Sequence, residues 1–227
     1  VGVAGIDKNN CKHEYFAKNV IVSAGALNTP IILKNSGIEN VGNHIFFDIF
    51  TTIGGYLKDA NLKNELMMGI KAEFGPYFLS PHYSMQLLPK IREKGIDAGE
   101  KDVIGLMLKF ADTSIGTVDF EGNIQKTLTK MDIDLIKEGY QKAENILLKL
   151  GVHKESIVAT SLKGAHPGGT AAIGKIVDSN LETEIENLYV CDASVIPEAP
   201  GRPPILTIVA IAKKVAKIVD KNIKVKK

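Results

Sequence analysis

The chain has 227 residues, 44% hydrophobic and 24% charged, with a formal net charge of +2. That composition is ordinary for a folded globular domain and excludes a disordered or fibrous chain. The balanced charge gives no electrostatic case for nucleic acid, and the longest apolar stretches, "NVIVSAGAL" and "PPILTIVAIA", fall short of the roughly 20 residues of a membrane span.

In chain order, the start "VGVAGIDKNN" has no initiator Met and is strand-like at once. This reads as a fragment, a processed product or one half of a split protein. The run "NVIVS" is short, continuous and β-branched, as for a strand buried on both faces. "AGALN" is a tight turn. Thr29 is placed to cap a helix whose first position is Pro30, and Gly37 to close it. Strand, small-residue turn and helix form the local unit of a nucleotide-binding α/β sheet, yet no G-x-G-x-x-G appears.

From about 49 to 128 the pattern changes. "TTIGGYLK", "MMGIKAEFG", "HYSMQLLP", "DVIGLMLKFAD" and "GTVDFEG" are short, β-rich and separated by Gly, Pro, Asn and Asp. They predict a meandering antiparallel sheet, with "ADTSIGTVDF" as a hairpin. A strong helix follows. Thr129 and Asp132 form its T-x-x-D cap, and Gly151 ends it. Ile136, Tyr140, Ala143, Leu147 and Leu150 make one core-facing stripe. The last segment goes back to the α/β pattern of the first. In it "ENLYVCDAS" is a strand ending at Asp192, "VIPEAPGRPP" a proline-rich loop and "LTIVAIAKKVAKIV" an amphipathic helix with Thr207 near its start.

The cysteines, Cys11 and Cys191, are too few and too distant for a disulfide scaffold or a zinc site, so no metal is expected. Cys191 reads as a buried free thiol. No secretory signal is visible, and a reduced, cytoplasmic setting is the expectation. The arginines are Arg92 and Arg202. The lysine clusters "KKVAK" and "KVKK" read as a solvated helix face and tail.

"NVIVSAGALNTPIILKNSGI", then "HPGGTAAIG", then "NLYVCDASVIPEAPGRPPILTIVAIAKK" resemble, in that order and spacing, the C-terminal half of the glucose–methanol–choline (GMC) oxidoreductases. "GNIQKTLTKMDIDLIKEGYQKAENILLKLGV" resembles that family's strand, capped helix and glycine before the histidine motif, so the likeness covers nearly the whole chain. The resemblance implies FAD as cofactor and a small-molecule alcohol as substrate. It implies α/β with an inserted α+β domain: a partial FAD-binding Rossmann-like domain (1–48, returning as 161–227) around a substrate domain of mainly antiparallel sheet plus helix (49–160). The family's glycine-rich FAD loop is missing, so an N-terminal FAD-binding segment or chain is expected as partner.

The resemblance puts His166 at the active-site histidine of an H-x-x-G-T pattern, and an imidazole is the natural base near neutral pH. Gly168 and Gly169 would let the backbone pass close to a flat ring. Thr170 would fix the turn through its hydroxyl. Asp192 ends a strand at the carboxyl edge, where such sheets bind ligands. It reads either as a cap or as a cofactor contact shared with Ala193. Pro203, Pro204, Ile205 and Thr207 would begin a helix aimed at the flavin, its free N–H groups stabilising negative charge. Ser23, Ala24 and Gly25 resemble the stretch near the adenosine end of FAD, or serve strand–helix packing.

Two positions depart from the family. The polar residue expected four before Thr207 is Pro203, which has no donor. Arg202, with Glu198 a weaker candidate, would supply the missing polar contact as a catalytic group, or is an exposed loop arginine. The family's Asp-His pair is replaced by Phe47 and Asp48, with His44 out of register and read as loop or core. Met67, Met68, Tyr77 and Phe78 are substrate-wall candidates or sheet core. The alternative to an enzyme is a non-catalytic scaffold pairing with a flavin-bearing chain. A hydrolase using Ser194 is disfavoured because no G-x-S-x-G is present.

Overall fold

The computed structural model describes residues 1–62 and 66–225, in two compact units. Of the "KVKK" tail, residues 226 and 227 lie outside the described residues.

Unit 1 comprises residues 1–47, 114–127 and 166–227. It opens with an antiparallel ribbon, Gly2–Ile6 against Lys12–Phe16. Val20–Val22 then pairs in parallel with Leu188–Val190. Parallel neighbours cannot be joined by a tight turn, so the long excursion between them is required. The helix Gly25–Asn35 and the helix Ile205–Val225 complete the unit. Its core joins Val22, Leu33, Leu181, Tyr189, Val190 and Val215. Asn222 donates from Nδ2 to the hydroxyl of the fully buried Tyr189 at 3.1 Å.

Unit 2 comprises residues 48–113 and 128–165. Its antiparallel sheet runs Val158–Ala159, Ile49–Tyr56, Val103–Phe110, Tyr77–Pro81, Ala72–Glu73, and Lys163–Gly164 adds to the far end of Ile49–Tyr56. The helix Lys130–Lys149 lies on this sheet through Gly139, Ala143 and Leu147, with Gly139 pressed onto Leu108. The Thr129–Asp132 capping box is present, with Oγ1 of Thr129 accepting at 3.1 Å and Asp132 Oδ2 accepting at 2.7 Å. Burial opposes ionisation of Asp132, but hydrogen bonds from Thr129 and Thr113 hold its carboxyl below the ordinary range. Gly151 closes the helix at φ +90. The stripe is less uniform than its period predicts: Ala143 and Leu147 are buried, Ile136 and Tyr140 half-buried, and Leu150 is exposed.

Four local expectations change. The first helix begins at Gly25, not after Thr29, because its cap comes from a distant carboxylate described below; Gly37 closes it at φ +87 as expected, with Ile38 N–H returning to Leu33 O at 3.1 Å. "HYSMQLLP" runs into a helix, Leu87–Glu93, because Leu87 and Ile91 at i, i+4 both reach full burial. The hairpin of "ADTSIGTVDF" forms one strand later. Gly116–Val118 pairs with Ile124–Gln125, and Asp119 Oδ1 accepts from the N–H groups of Glu121 and Asn123 at 2.9 and 2.8 Å. Residues 114–127, placed by sequence inside the middle domain, fold with unit 1, since Gly116–Val118 also pairs with Asn43–Ile45.

Candidate active site

The strand Leu188–Val190 delivers Asp192 to the N-terminus of the helix Gly25–Asn35. Cys191 N–H donates to Val22 O at 2.8 Å, and Ser23 Oγ donates to Cys191 O at 2.9 Å. Asp192 Oδ2 then accepts from Gly25 N–H at 2.9 Å and from Thr29 Oγ1 at 2.5 Å, while Oδ1 accepts from Ser194 N–H at 2.8 Å. Gly25 takes φ +81, a left-handed conformation that glycine adopts freely. A carboxylate at a helix N-terminus is favoured by the peptide dipoles, and charge-assisted bonds of this kind are the strong ones.

The side chain of Asp192 thus caps the first helix. Its carboxylate lies at the positive end of the first helix. Asp192→Ala is expected to cost about 1–3 kcal/mol by removing these bonds from buried donors, and Asp192→Asn less. Urea unfolding of both variants checks the order; equal losses would mean that charge at this cap carries nothing.

The glycine-rich run is threaded between two segments of unit 1. His166 N–H donates to Phe47 O at 2.8 Å, and Phe46 and Gly168 exchange both backbone bonds at 3.1 Å. On the other side Ala171 N–H reaches Ser194 O at 2.9 Å and Gly169 N–H reaches Ala193 O at 3.3 Å. Thr170 Oγ1 donates to Ala26 O at 2.8 Å, so the hydroxyl ties the run to the first helix rather than closing its own turn. A Cβ on Gly168 would overlap the Phe46 ring, and one on Gly169, at φ +86, would lie 2.5 Å from His44 O. Both glycines lie against the ring of Phe46. No sequence signal marks that residue.

His166 is half-buried, with its backbone held in this clamp. Ser23 and Ala24 are exposed, Gly25 and Ala193 half-buried, and Gly169 and Thr170 buried. The structure thus links Ser23, Gly25, Gly169, Thr170, Asp192 and Ala193 in one hydrogen-bonded region, together with Thr29, whose partner lies 163 residues away. Arg202, Pro203, Pro204, Ile205 and Thr207 form a second group at the start of the helix Ile205–Val225. Pro204 is buried and its carbonyl accepts from Ile208 N–H at 2.9 Å. Arg202, Pro203 and Thr207 are exposed, and Ile205 and Leu206 are 67% and 84% exposed. The opening N–H groups of a helix have no intrahelical acceptor.

Other candidates resolve plainly. Ser194 is fully buried, which removes the hydrolase reading. Glu198 is exposed. His44 is half-buried, with Nδ1 3.3 Å from Ser114 O, as expected for a loop histidine. Cys11 is exposed and Cys191 is half-buried rather than buried; burial, then the Asp192 charge, pushes its thiol pKa up. Met67 and Met68 are exposed, whereas Tyr77 and Phe78 are sheet core. Among the described residues no cluster suits a metal ion, and no helix is long and apolar enough to cross a membrane.

The chain is similar to several known proteins. Profiles of the N- and C-terminal parts of GMC oxidoreductases match residues 1–59 and 116–212. An uncharacterized protein of Methanocaldococcus jannaschii is 41% identical over 200 residues, covering 87% of this chain and 52% of its own length. The long-chain-alcohol oxidase FAO3 of Arabidopsis thaliana is 24% identical over 263 residues, covering 86% of this chain and 35% of its own. A solved structure concerned with FAD modification in formate oxidase of Aspergillus oryzae superposes with a TM-score of 0.71 at 17% identity, covering 98% of this chain and 57% of that one. The chain spans about half the length of the first of these relatives and about a third of the second.

Proposed function

Because this chain belongs to the GMC oxidoreductase family, we propose that it is the C-terminal part of a FAD-dependent oxidoreductase acting on a CH–OH group, with His166 as the base. The observation that carries this reading is the clamp on the H-P-G-G-T run. It holds the backbone of His166 on Phe47 O at 2.8 Å and leaves the residue half-buried. A base held by its backbone, with its ring between core and solvent, can meet a hydroxyl without first ordering a loop.

The residues present fit FAD at one end in particular. The exposed first turn of Ile205–Val225 offers N–H groups without intrahelical acceptors beside an apolar ledge of Ile205 and Leu206. That combination suits the polar edge and flat face of an isoalloxazine. Ser23 and Ala24 are exposed, small and adjacent to Gly25, leaving space for the adenosine end. FAD, when bound, supplies the two-electron acceptor for the carbinol hydrogen. The neutral imidazole of His166 takes the hydroxyl proton. Arg202 places a fixed positive charge at the start of the same helix, where an acidic substrate group would be held.

The remaining part of the site is supplied by an N-terminal FAD-binding segment or a partner chain. Both faces of the opening ribbon are exposed, including Val3, Ile6, Tyr15 and Phe16 at 51%, 71%, 67% and 84%. Apolar side chains on both sides of a two-stranded ribbon mark a surface built to be covered.

The test is to co-produce the chain with the N-terminal half of the M. jannaschii relative and add FAD. The expected result is yellow protein that keeps its flavin absorbance through gel filtration and bleaches anaerobically with a primary alcohol. Protein that co-purifies but stays colourless would favour the non-catalytic scaffold.

A further inference from the structure

The strand Val103–Phe110 carries a lysine where a core residue is expected. Lys109 stands opposite Phe50 on one neighbouring strand and Phe78 on the other, so two aromatic side chains flank it on the same face of the sheet. It is almost fully buried, as are Asp48 and Asp112. An apolar residue of similar volume often stabilises such a place as well as a buried ion pair does. Stability alone therefore gives no reason for a charge at this position.

What the ammonium holds is a backbone. Lys109 Nζ donates to Asp48 O at 3.0 Å and lies 3.9 Å from Asp48 Oδ2. Asp48 is thus held at its carbonyl and at its carboxylate, with φ at +51, a left-handed value uncommon outside glycine. Such a conformation persists where the surroundings over-determine it. The angle φ is the rotation about N–Cα, and the peptide before it is planar. With the Cα and carbonyl of Asp48 fixed, this angle sets the direction of the Phe47 carbonyl. Phe47 O is the acceptor for His166 N–H at 2.8 Å. Three successive carbonyls therefore have three different donors: Gly168 N–H on Phe46 O, His166 N–H on Phe47 O and Lys109 Nζ on Asp48 O.

The geometry points to Lys109 as a positioning residue for His166: it fixes the backbone of Asp48, which aims the Phe47 carbonyl that holds the His166 amide. Lys109 acts through the backbone and takes no part in the chemistry. Its own strand is paired on both sides, and an anchor on a paired strand holds a site more precisely than one on a loop. The inference rests on the reading of His166 as the base, but its first test needs neither flavin nor turnover.

That test is amide hydrogen exchange, read by NMR on the chain carrying Lys109→Met with Asp48→Asn, which leaves no lysine without its partner. Protection of His166 N–H should fall about tenfold or more. Ala171 and Ile173 N–H, bonded to Ser194 O and Val195 O at 2.9 and 3.0 Å, should keep their wild-type protection. Asp48→Asn alone keeps the carbonyl that Lys109 holds, and His166 should stay protected. Unchanged protection of His166 in the double variant would overturn the proposal, as would an equal loss at Ala171 and Ile173, which is general loosening, or a full loss in Asp48→Asn alone. In the flavin-loaded protein the double variant should slow reduction by saturating alcohol about tenfold or more with KM unchanged, and add nothing to His166→Ala, since coupled residues are not additive. Additive losses would also overturn it. If His166 is not the base, His166→Ala leaves the rate unchanged while the exchange result stands, so the two failures are distinct.

Discussion

His166→Ala in the flavin-loaded protein should slow anaerobic reduction by an alcohol about 10²–10⁴-fold, the range set by removing a positioned general base, while FAD stays bound. The backbone around the site should survive the change. His166 is held through its backbone N–H, which alanine keeps, and the glycines beyond it pack on Phe46 whether or not an imidazole is present. The same variant should lose the acidic limb of the pH profile of kcat/KM, because that limb reports protonation of the base. A reduced rate with an unchanged limb would assign the histidine to positioning, and an unchanged rate would remove it from the chemistry. The Arg202→Ala variant separates the second group: with an acidic substrate KM should rise, and with a neutral alcohol it should not.

Lys109→Ala should be the most destabilising single change in unit 2, by about 3–5 kcal/mol. Lys109 is 2% exposed on the central strand and donates from Nζ to Asp48 O at 3.0 Å, with Asp48 Oδ2 3.9 Å away. Asp48 and Asp112 are buried as well. Removing the ammonium takes a positive charge away from two buried carboxylates in a medium that solvates them poorly. Replacing the pair by Lys109→Met with Asp48→Asn should recover most of the loss. Asn also suits the left-handed backbone at this position, φ +51.

The pH dependence has a definite sign. Burial pulls the Lys109 pKa down to about 8 despite the raising effect of Asp48 and Asp112, against 10.5 for a free lysine. Below pH 8 both folded and unfolded states hold the proton, and the contribution to slope is nil. Between there and the ordinary lysine value the unfolded chain keeps a proton that the folded one releases, so this group makes stability rise with pH. Urea midpoints of the wild type and the double variant should diverge across that window. Parallel midpoints would show that the ammonium is not strained by burial.

Features whose partners are near in the chain are legible from residue order. Thr129 and Asp132 are three residues apart and form the capping box that the T-x-x-D spacing implies. Gly37 and Gly151 end their helices because a left-handed residue is needed there, and only local geometry decides it. The antiparallel character of the middle segment is visible in its short alternating runs; Val20–Val22 does pair in parallel, but Ile21 is 46% exposed, so the strand is not buried on both faces as its continuous apolar run suggests.

Where the partner is distant, residue type alone is insufficient. Thr29 and Gly25 look like the cap and turn of a self-contained helix, but their acceptor is Asp192, brought in by the strand Leu188–Val190. "GTVDFEG" looks like part of the middle sheet, but its strand pairs with Asn43–Ile45 and so joins unit 1. Asp48 is fully buried beside Lys109, with which it forms an ion pair that residue order does not announce. Secondary-structure periods, family motifs and the identity of the candidate base are written in the chain itself, since they rest on short-range backbone chemistry and ordered spacing. That the glycines beside His166 lie against Phe46, and that Asp192 caps a helix 163 residues earlier, emerge only on folding, because each depends on which atoms the sheet register brings within a few ångströms.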